Sequence, residues 1–354
     1  MKLLFTSLIA LCTSVTSFAQ TDALMATLQH GETTTVFYGD DAFRRAYDAA
    51  ADTLDVITLS GGEHCKTVFP PDIYKSVSIY GAGFEPASSQ GGQVTLLGGL
   101  RVRNASGVHI EGLCISGLLS VGTDGEDNIN GTVIYNTEIA KCYAGRIEFT
   151  CNSCNTIVRQ CRVNMGIAGD TEIGTNNYKH ENMLISNCYL RGELSNRTSY
   201  YSVGRFSETS TVLVDHCVLV NGYNVTTIGN IGLGRITNSI SYVEFNEKLY
   251  TAENNIFVNL ESKPAMYYSN FFLSEMDLWA DDVKNSEYLD EREWNLQTHT
   301  DFVGTDGTQI GLHGGTYPWN KIPSIPRITE STIDTSNAAN GTITVNLKAE
   351  AYTK

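Results

Sequence analysis

Between residues 79 and 257 the chain keeps returning to one short pattern: an apolar residue, a variable one, a glycine or polar bend residue, a mostly small residue, then apolar character again. The pattern begins at Ile79, Ile110, Ile134, Val158, Ile185, Val214, Ile236 and Ala252, in steps of 31, 24, 24, 27, 29, 22 and 16 residues. Units of this size predict a solenoid, in which each unit buries its apolar face only by stacking on its neighbours. The third position holds Gly81, Gly112, Asn136, Gln160, Asn187, His216, Asn238 and Asn254. Glycine and asparagine best tolerate left-handed backbone, so the unit reads as strand, one-residue bend, strand. Asn136, Asn187 and Asn238 are expected to stack at these bends. Ile134, Val158, Ile185 and Val214 are expected to point into one continuous core, because they recur at the same phase before a bend.

The position after the bend is mostly small and is cysteine three times, at Cys161, Cys188 and Cys217. Strand spacing slightly exceeds the Cβ separation of a disulfide. An internal stack of reduced thiols is therefore favoured over a bridged pair. A second phase lies upstream of the bends, at Val121, Phe149, Ile173, Val203 and Ile228, in steps of 28, 24, 30 and 25. Together the phases predict an all-β fold: a single-stranded right-handed parallel β-helix of about eight rungs, with three short strands per full rung. An acidic N-cap and the apolar face Phe43, Ala46, Tyr47 and Ala50 predict a capping helix over residues 40–50. Repeat phase fades after Leu260, which leaves an irregular C-terminal cap and a last strand over 341–347.

The first 19 residues read as a secretory signal, which predicts an exported product. Domain boundaries follow: signal 1–19, repeat domain with caps 35–315, and a Pro-containing linker with terminal strand 316–354. No later stretch is apolar for long enough to cross a membrane as a helix. Without Lys2 the chain carries 23 basic against 39 acidic side chains. That balance repels nucleic acid and anionic membranes. Eight cysteines remain beyond the signal, an even number that also admits a disulfide framework.

The helix-to-strand opening AFRRAYDAAADTLDVITLSGG (42–62), the Asn-bend units and the close EWNLQTHTDFVGTDGTQIGLHGG (293–315) resemble the pectate-lyase-like β-helix superfamily. They are most similar to exported repeat proteins of Bacteroidetes type. The resemblance covers about residues 35–315. It implies the fold, a polysaccharide partner and a monomer. It leaves activity open, because such proteins include lyases, hydrolases and non-catalytic surface proteins. Val214–Leu219 contains Asp215 and His216 in the Asp-His-Cys rung of pectate lyases, without the arginine motif that accompanies it there; as a bend residue, His216 would simply belong to the ladder.

Residues of the upstream phase supply the candidate site. Glu148 and Glu172 each precede an apolar ladder residue and are expected on one outward row of neighbouring rungs. As a pair they would serve as acid and base in hydrolysis or hold Ca²⁺. Arg205 or Arg146 would neutralise a uronate or act as lyase base. Asp170, Ser202 and Asp124 lie near the same face. Tyr178, Tyr200, Tyr201 and Tyr223 are candidates to stack on sugar rings, with Tyr201 and Tyr223 assigned to substrate alongside Arg146 and Asp170. The bland alternative is a solvated ladder of mutually neutralising Arg–Glu pairs. Cys151 and Cys154 have zinc-knuckle spacing but no second pair nearby.

Overall fold

The computed structural model describes residues 24–51, 53–122, 131–170, 178–195, 198–220, 227–245, 251–259, 267–274, 278–280, 287–288, 292–297, 301–334 and 344–350. The fold is all-β and dominated by two long sheets whose repeat strands run parallel. The chain visits them alternately, and each return lands beside the previous visit. Thr53–Leu59, Ser76–Tyr80, His109–Glu111, Glu138–Ala140, Ile157–Arg159, Met183–Ser186, Val212–Asp215, Arg235–Thr237 and Thr251–Glu253 follow one another across the first sheet. Their inward column is continuous: Ile57, Ile79, Ile110, Ile139, Val158, Ile185, Val214, Ile236 and Ala252 are successive register partners. All are buried.

The bend that leaves this sheet is left-handed at Gly112, Lys141, Gln160, Asn187, His216, Asn238 and Asn254. One assignment from the sequence is corrected. Ile134 pairs with Ser153 in a separate three-stranded sheet, and the true partner of Val158 is Ile139. Asn136 is left-handed, but it belongs to a second bend column, where Asn155 Nδ2 donates to its Oδ1 at 3.2 Å and Asn182 Nδ2 donates to Asn155 Oδ1 at 2.8 Å. The asparagines fall in two bend columns, and a single six-residue pattern could not distinguish them. Lys141, a residue with no left-handed preference, fills the missing bend.

The column after the bend has its own logic. A one-residue turn leaves an N–H without a ladder partner, and burial makes that costly. The side chain of the next repeat accepts it. Ser239 Oγ takes Cys217 N–H at 3.0 Å, Asn255 Oδ1 takes Ser239 N–H at 2.9 Å, and Cys188 Sγ takes Cys161 N–H at 3.4 Å. Cys142, Cys161, Cys188 and Cys217 are all fully buried and unbridged.

In the second sheet, Tyr143–Thr150 pairs with Cys114–Gly122 along most of its length, and the later strands Val218–Val220 and Ile256–Val258 are apolar and buried on both faces. Val218, Ile240 and Ile256 point outward, yet they are buried under Leu278, Trp279, Trp294 and Leu296 of the C-terminal cap. Continuous apolar runs such as Val218–Val220 are the sequence mark of a strand covered on both faces.

At the front, an antiparallel hairpin (Met25–His30 with Thr33–Tyr38) precedes the helix Ala42–Ala49, an element the sequence reading did not contain. Asp40 is not a helix cap. Its carboxylate instead accepts the Lys66 and Thr67 N–H groups at 2.7 and 2.8 Å. At the rear, the last strand is half of an antiparallel hairpin, Arg327–Asp334 with Thr344–Glu350. Among the described residues no helix is long and apolar enough to cross a membrane.

A strap joins the ends. Residues 305–324 run back along the bend column in reverse order. Asn238 Oδ1 accepts Thr305 N–H at 2.8 Å; His216 Nε2 lies 3.1 Å from Thr308 Oγ1; Asn187 Nδ2 donates to the carbonyls of Leu312 and Gly314, each at 2.8 Å. Gln160 Nε2 reaches Pro318 O at 2.5 Å, and Lys141 Nζ reaches Ser324 Oγ at 3.0 Å. The docked segment thus extends past Gly315, where the sequence reading closes the repeat domain.

Candidate functional site

The upstream face is folded differently from the row expected of it. Glu148 has Ser120 and Ala168 as its register neighbours, because Ile147, Ile167 and Val203 form the inward column. Ala168 therefore stands beside Glu148 in the ladder. Glu172 itself lies outside the described residues, as do Asp124, Ile173 and Tyr223. Glu148 Oε1 is 2.6 Å from Arg146 Nη2, and both residues are 6% exposed. That contact is the arrangement of a neutralised carboxylate–guanidinium pair. Asp170 and Ser202 are also buried. Arg205 sits at a left-handed position, half-buried, beside Arg146 and Tyr201.

Tyr201 is engaged by its own chain. A Cβ placed on Gly229 would come within 2.7 Å of its ring, so the ring lies directly on that glycine and on Gly204. Tyr178 is buried, not displayed in a loop. His216 is a fully buried left-handed bend residue whose Nδ1 faces Asp215 Oδ2 at 2.8 Å.

His180 belongs to the three-stranded sheet, where it is the register partner of Ser153. Its Nδ1 lies 2.9 Å from Ser153 Oγ and its Nε2 lies 2.9 Å from Gly169 O, between the rings of Phe149 and Phe206. Burial holds its pKa down at about 4.

A charged cluster covers the other sheet where the strap ends. His109 bridges Glu111 at 3.0 Å and Glu138 at 3.1 Å; Lys141 approaches Glu111 at 3.4 Å; Arg159 Nε holds Glu138 at 2.6 Å. Burial opposes a charge on His109, but the hydrogen bonds it donates to the two carboxylates outweigh this and hold the pKa up at about 9. Burial likewise opposes ionisation of Glu111, yet His109, Lys141 and Ser324 bring it down to about 2; Glu138 is held at about 2 chiefly by His109. Ser324 N–H donates to Glu111 at 2.5 Å, so this cluster anchors the strap.

The open surface lies at the front of the second sheet. A recess of about 520 Å³ is lined by residues 65–70, Asp72, Gly98, Gly99, Arg101 and Leu118, among others. Its floor follows a corner where the sheet folds along its length. Here a Cβ on Gly117 would lie 2.5 Å from Gly98 O, and one on Gly145 would lie 2.6 Å from Ser116 O, so only glycine fits. Arg101 Nε holds Asp72 at 2.9 Å, Arg103 Nε approaches the same carboxylate at 3.3 Å, and half of the Arg101 side chain is exposed. Phe69 is 82% exposed on the wall. The recess thus combines an apolar wall, a bare backbone floor and a guanidinium edge. Sequence reasoning missed it, although the glycines Gly99, Gly117 and Gly145 at one corner were a usable signal. Among the described residues no group of three His, Cys, Asp or Glu side chains is arranged to hold a metal. Cys151 is buried, which raises its thiol pKa to about 12.

No family model matches the chain, and no match is found among curated proteins.

Proposed function

We propose that the chain is a right-handed parallel β-helix of the pectate-lyase-like kind, exported from a Bacteroidetes-type cell, that binds a polysaccharide in the front recess without cleaving it. The carrying observation is the recess itself, with an exposed aromatic at Phe69, a glycine floor and the half-exposed Arg101. Sugars present an apolar ring face and a rim of hydroxyl groups. A recess with one aromatic wall and a few placed donors is complementary to both. The non-catalytic reading is favoured over a lyase or hydrolase by the carboxylates. Asp72 is held between the Arg101 and Arg103 guanidiniums and Glu148 lies 2.6 Å from the Arg146 guanidinium, ion pairs that neutralise these two carboxylates.

A panel of neutral and acidic polysaccharides tests this by titration calorimetry, with product analysis for unsaturated and reducing ends. The expected result is saturable binding without new ends, weakened about tenfold in Arg101→Ala. Release of products would replace the binding reading with a catalytic one. Failure of every glycan to bind would remove the polysaccharide reading.

A further inference from the structure

We infer that the recess is a dead-end trough, so that it takes the terminus of a glycan chain and not an internal stretch; this rests on the polysaccharide reading. The corner of the second sheet would form a groove along the whole stack if it were open throughout. It is blocked at both ends. At the front, Asp72–Ile73 pairs only with Leu100–Arg103 and is the margin of that half of the sheet. Residues 65–70 rise beside it as a wall. The wall is fastened: the Asp40 carboxylate accepts Lys66 N–H, Thr67 N–H and Thr67 Oγ1–H at 2.7, 2.8 and 2.6 Å, and Arg44 donates to the Phe69 carbonyl. A loop pinned at successive backbone groups is a built barrier.

At the other end the outward row is covered by the chain itself. Residue 201 enters the next strand of the stack, beside Gly166, and its ring turns over Gly204 and Gly229, beyond Ala168 in the outward row. Exposure along the corner records the closure. Gly98, Ser116, Leu118 and Arg101 are exposed, whereas Gly145, Arg146 and Glu148 one repeat further are buried. Asp72, Arg101, Ser120 and Glu148 mark successive strands of one outward row. Three strand steps amount to about 14 Å. A polymer lying along the stack would collide with the wall at one end and with Tyr201 at the other.

The test uses cello-, xylo-, manno- and galacturono-oligosaccharides from disaccharide to decasaccharide, with the parent polymers, on the full chain. A plateau in affinity per chain by about the tetrasaccharide is expected, with one protein bound per chain of polymer. Chemical blocking of one chain end should abolish binding. Phe69→Ala, a change on the exposed wall, should weaken end binding about tenfold. Affinity per chain that grows in proportion to length, with several proteins bound per polymer, would overturn the dead-end inference while leaving the polysaccharide reading intact. Unchanged binding by Phe69→Ala would also overturn it. Absence of binding by every member of the series would remove the reading and the inference together.

Discussion

His216 and Thr308 lie 92 residues apart in sequence and meet at 3.1 Å, Nε2 to Oγ1, where the strap crosses the bend column. Thr308 Oγ1 also accepts Gly315 N–H at 2.7 Å and donates to Asp306. The contact is one of a series in which bend side chains hold the polar groups of residues 305–324.

Asn187 offers the cleanest test of that series, because its amide donates to two strap carbonyls. Asn187→Gly keeps the left-handed bend and removes those bonds together with the one that Asn187 Oδ1 accepts from Ser186 Oγ at 2.6 Å. It should cost about 1–3 kcal/mol and speed proteolysis within residues 305–324. Asn187→Ala should cost about 1 kcal/mol more, from the backbone conformation. A strap cut no faster in the glycine variant would show that these bonds do not hold it.

Register is tested by a pair of neighbours in the stack. Ile185→Ala, in the core column, should destabilise by about 2–5 kcal/mol. Leu213→Ala, outward on the next strand and 37% exposed, should stay within about 0.5 kcal/mol. Similar denaturant midpoints for the two variants would contradict the assigned faces.

The cysteine column makes a prediction about hydrogen bonding. Cys188→Ser keeps an acceptor for the Cys161 N–H, whereas Cys188→Val leaves it buried and unmade. The valine variant should be the less stable by about 1–3 kcal/mol. Cys142, Cys161, Cys188 and Cys217 should resist thiol reagents until the chain unfolds. Rapid labelling of the native protein would count against the inward stack.

Two histidines should shape stability in opposite directions. His180 has its folded pKa lowered to about 4 from 6.5. Between these values the unfolded chain binds a proton that the folded one refuses, so its contribution is complete above pH 6.5 and is lost as pH falls toward 4. His109 has its folded pKa raised to about 9 from 6.5. Its contribution is complete below pH 6.5 and is lost as pH rises through 9. Glu111 and Glu138, both held at about 2, contribute fully above pH 4.5 and lose that contribution as pH falls toward 2. Denaturation across pH should therefore show a maximum near 6.5 from these groups. His180→Gln should flatten the acid side and His109→Gln the alkaline side. An unchanged acid slope in His180→Gln would refute the assignment to the buried ring.

What the sequence by itself determined was the local and periodic part of the fold: apolar columns at Val158, Ile185, Val214 and Ile236, left-handed bends at Asn187, His216 and Asn238, and the buried thiols after them. Those features are legible because side-chain alternation and left-handed tolerance act within a few residues, and stacking repeats them. Tertiary structure decided the rest. Lys141 takes a bend that its residue type does not announce, beside Glu111 and Ser324. Asn136 belongs to a different bend column from Asn187 because pairing, not pattern, sets its neighbours. Glu148 meets Arg146 and is buried, although its place in an outward row announces exposure. Whether an outward row is a groove or an interior depends on what distant chain covers it, and no spacing within the row records that.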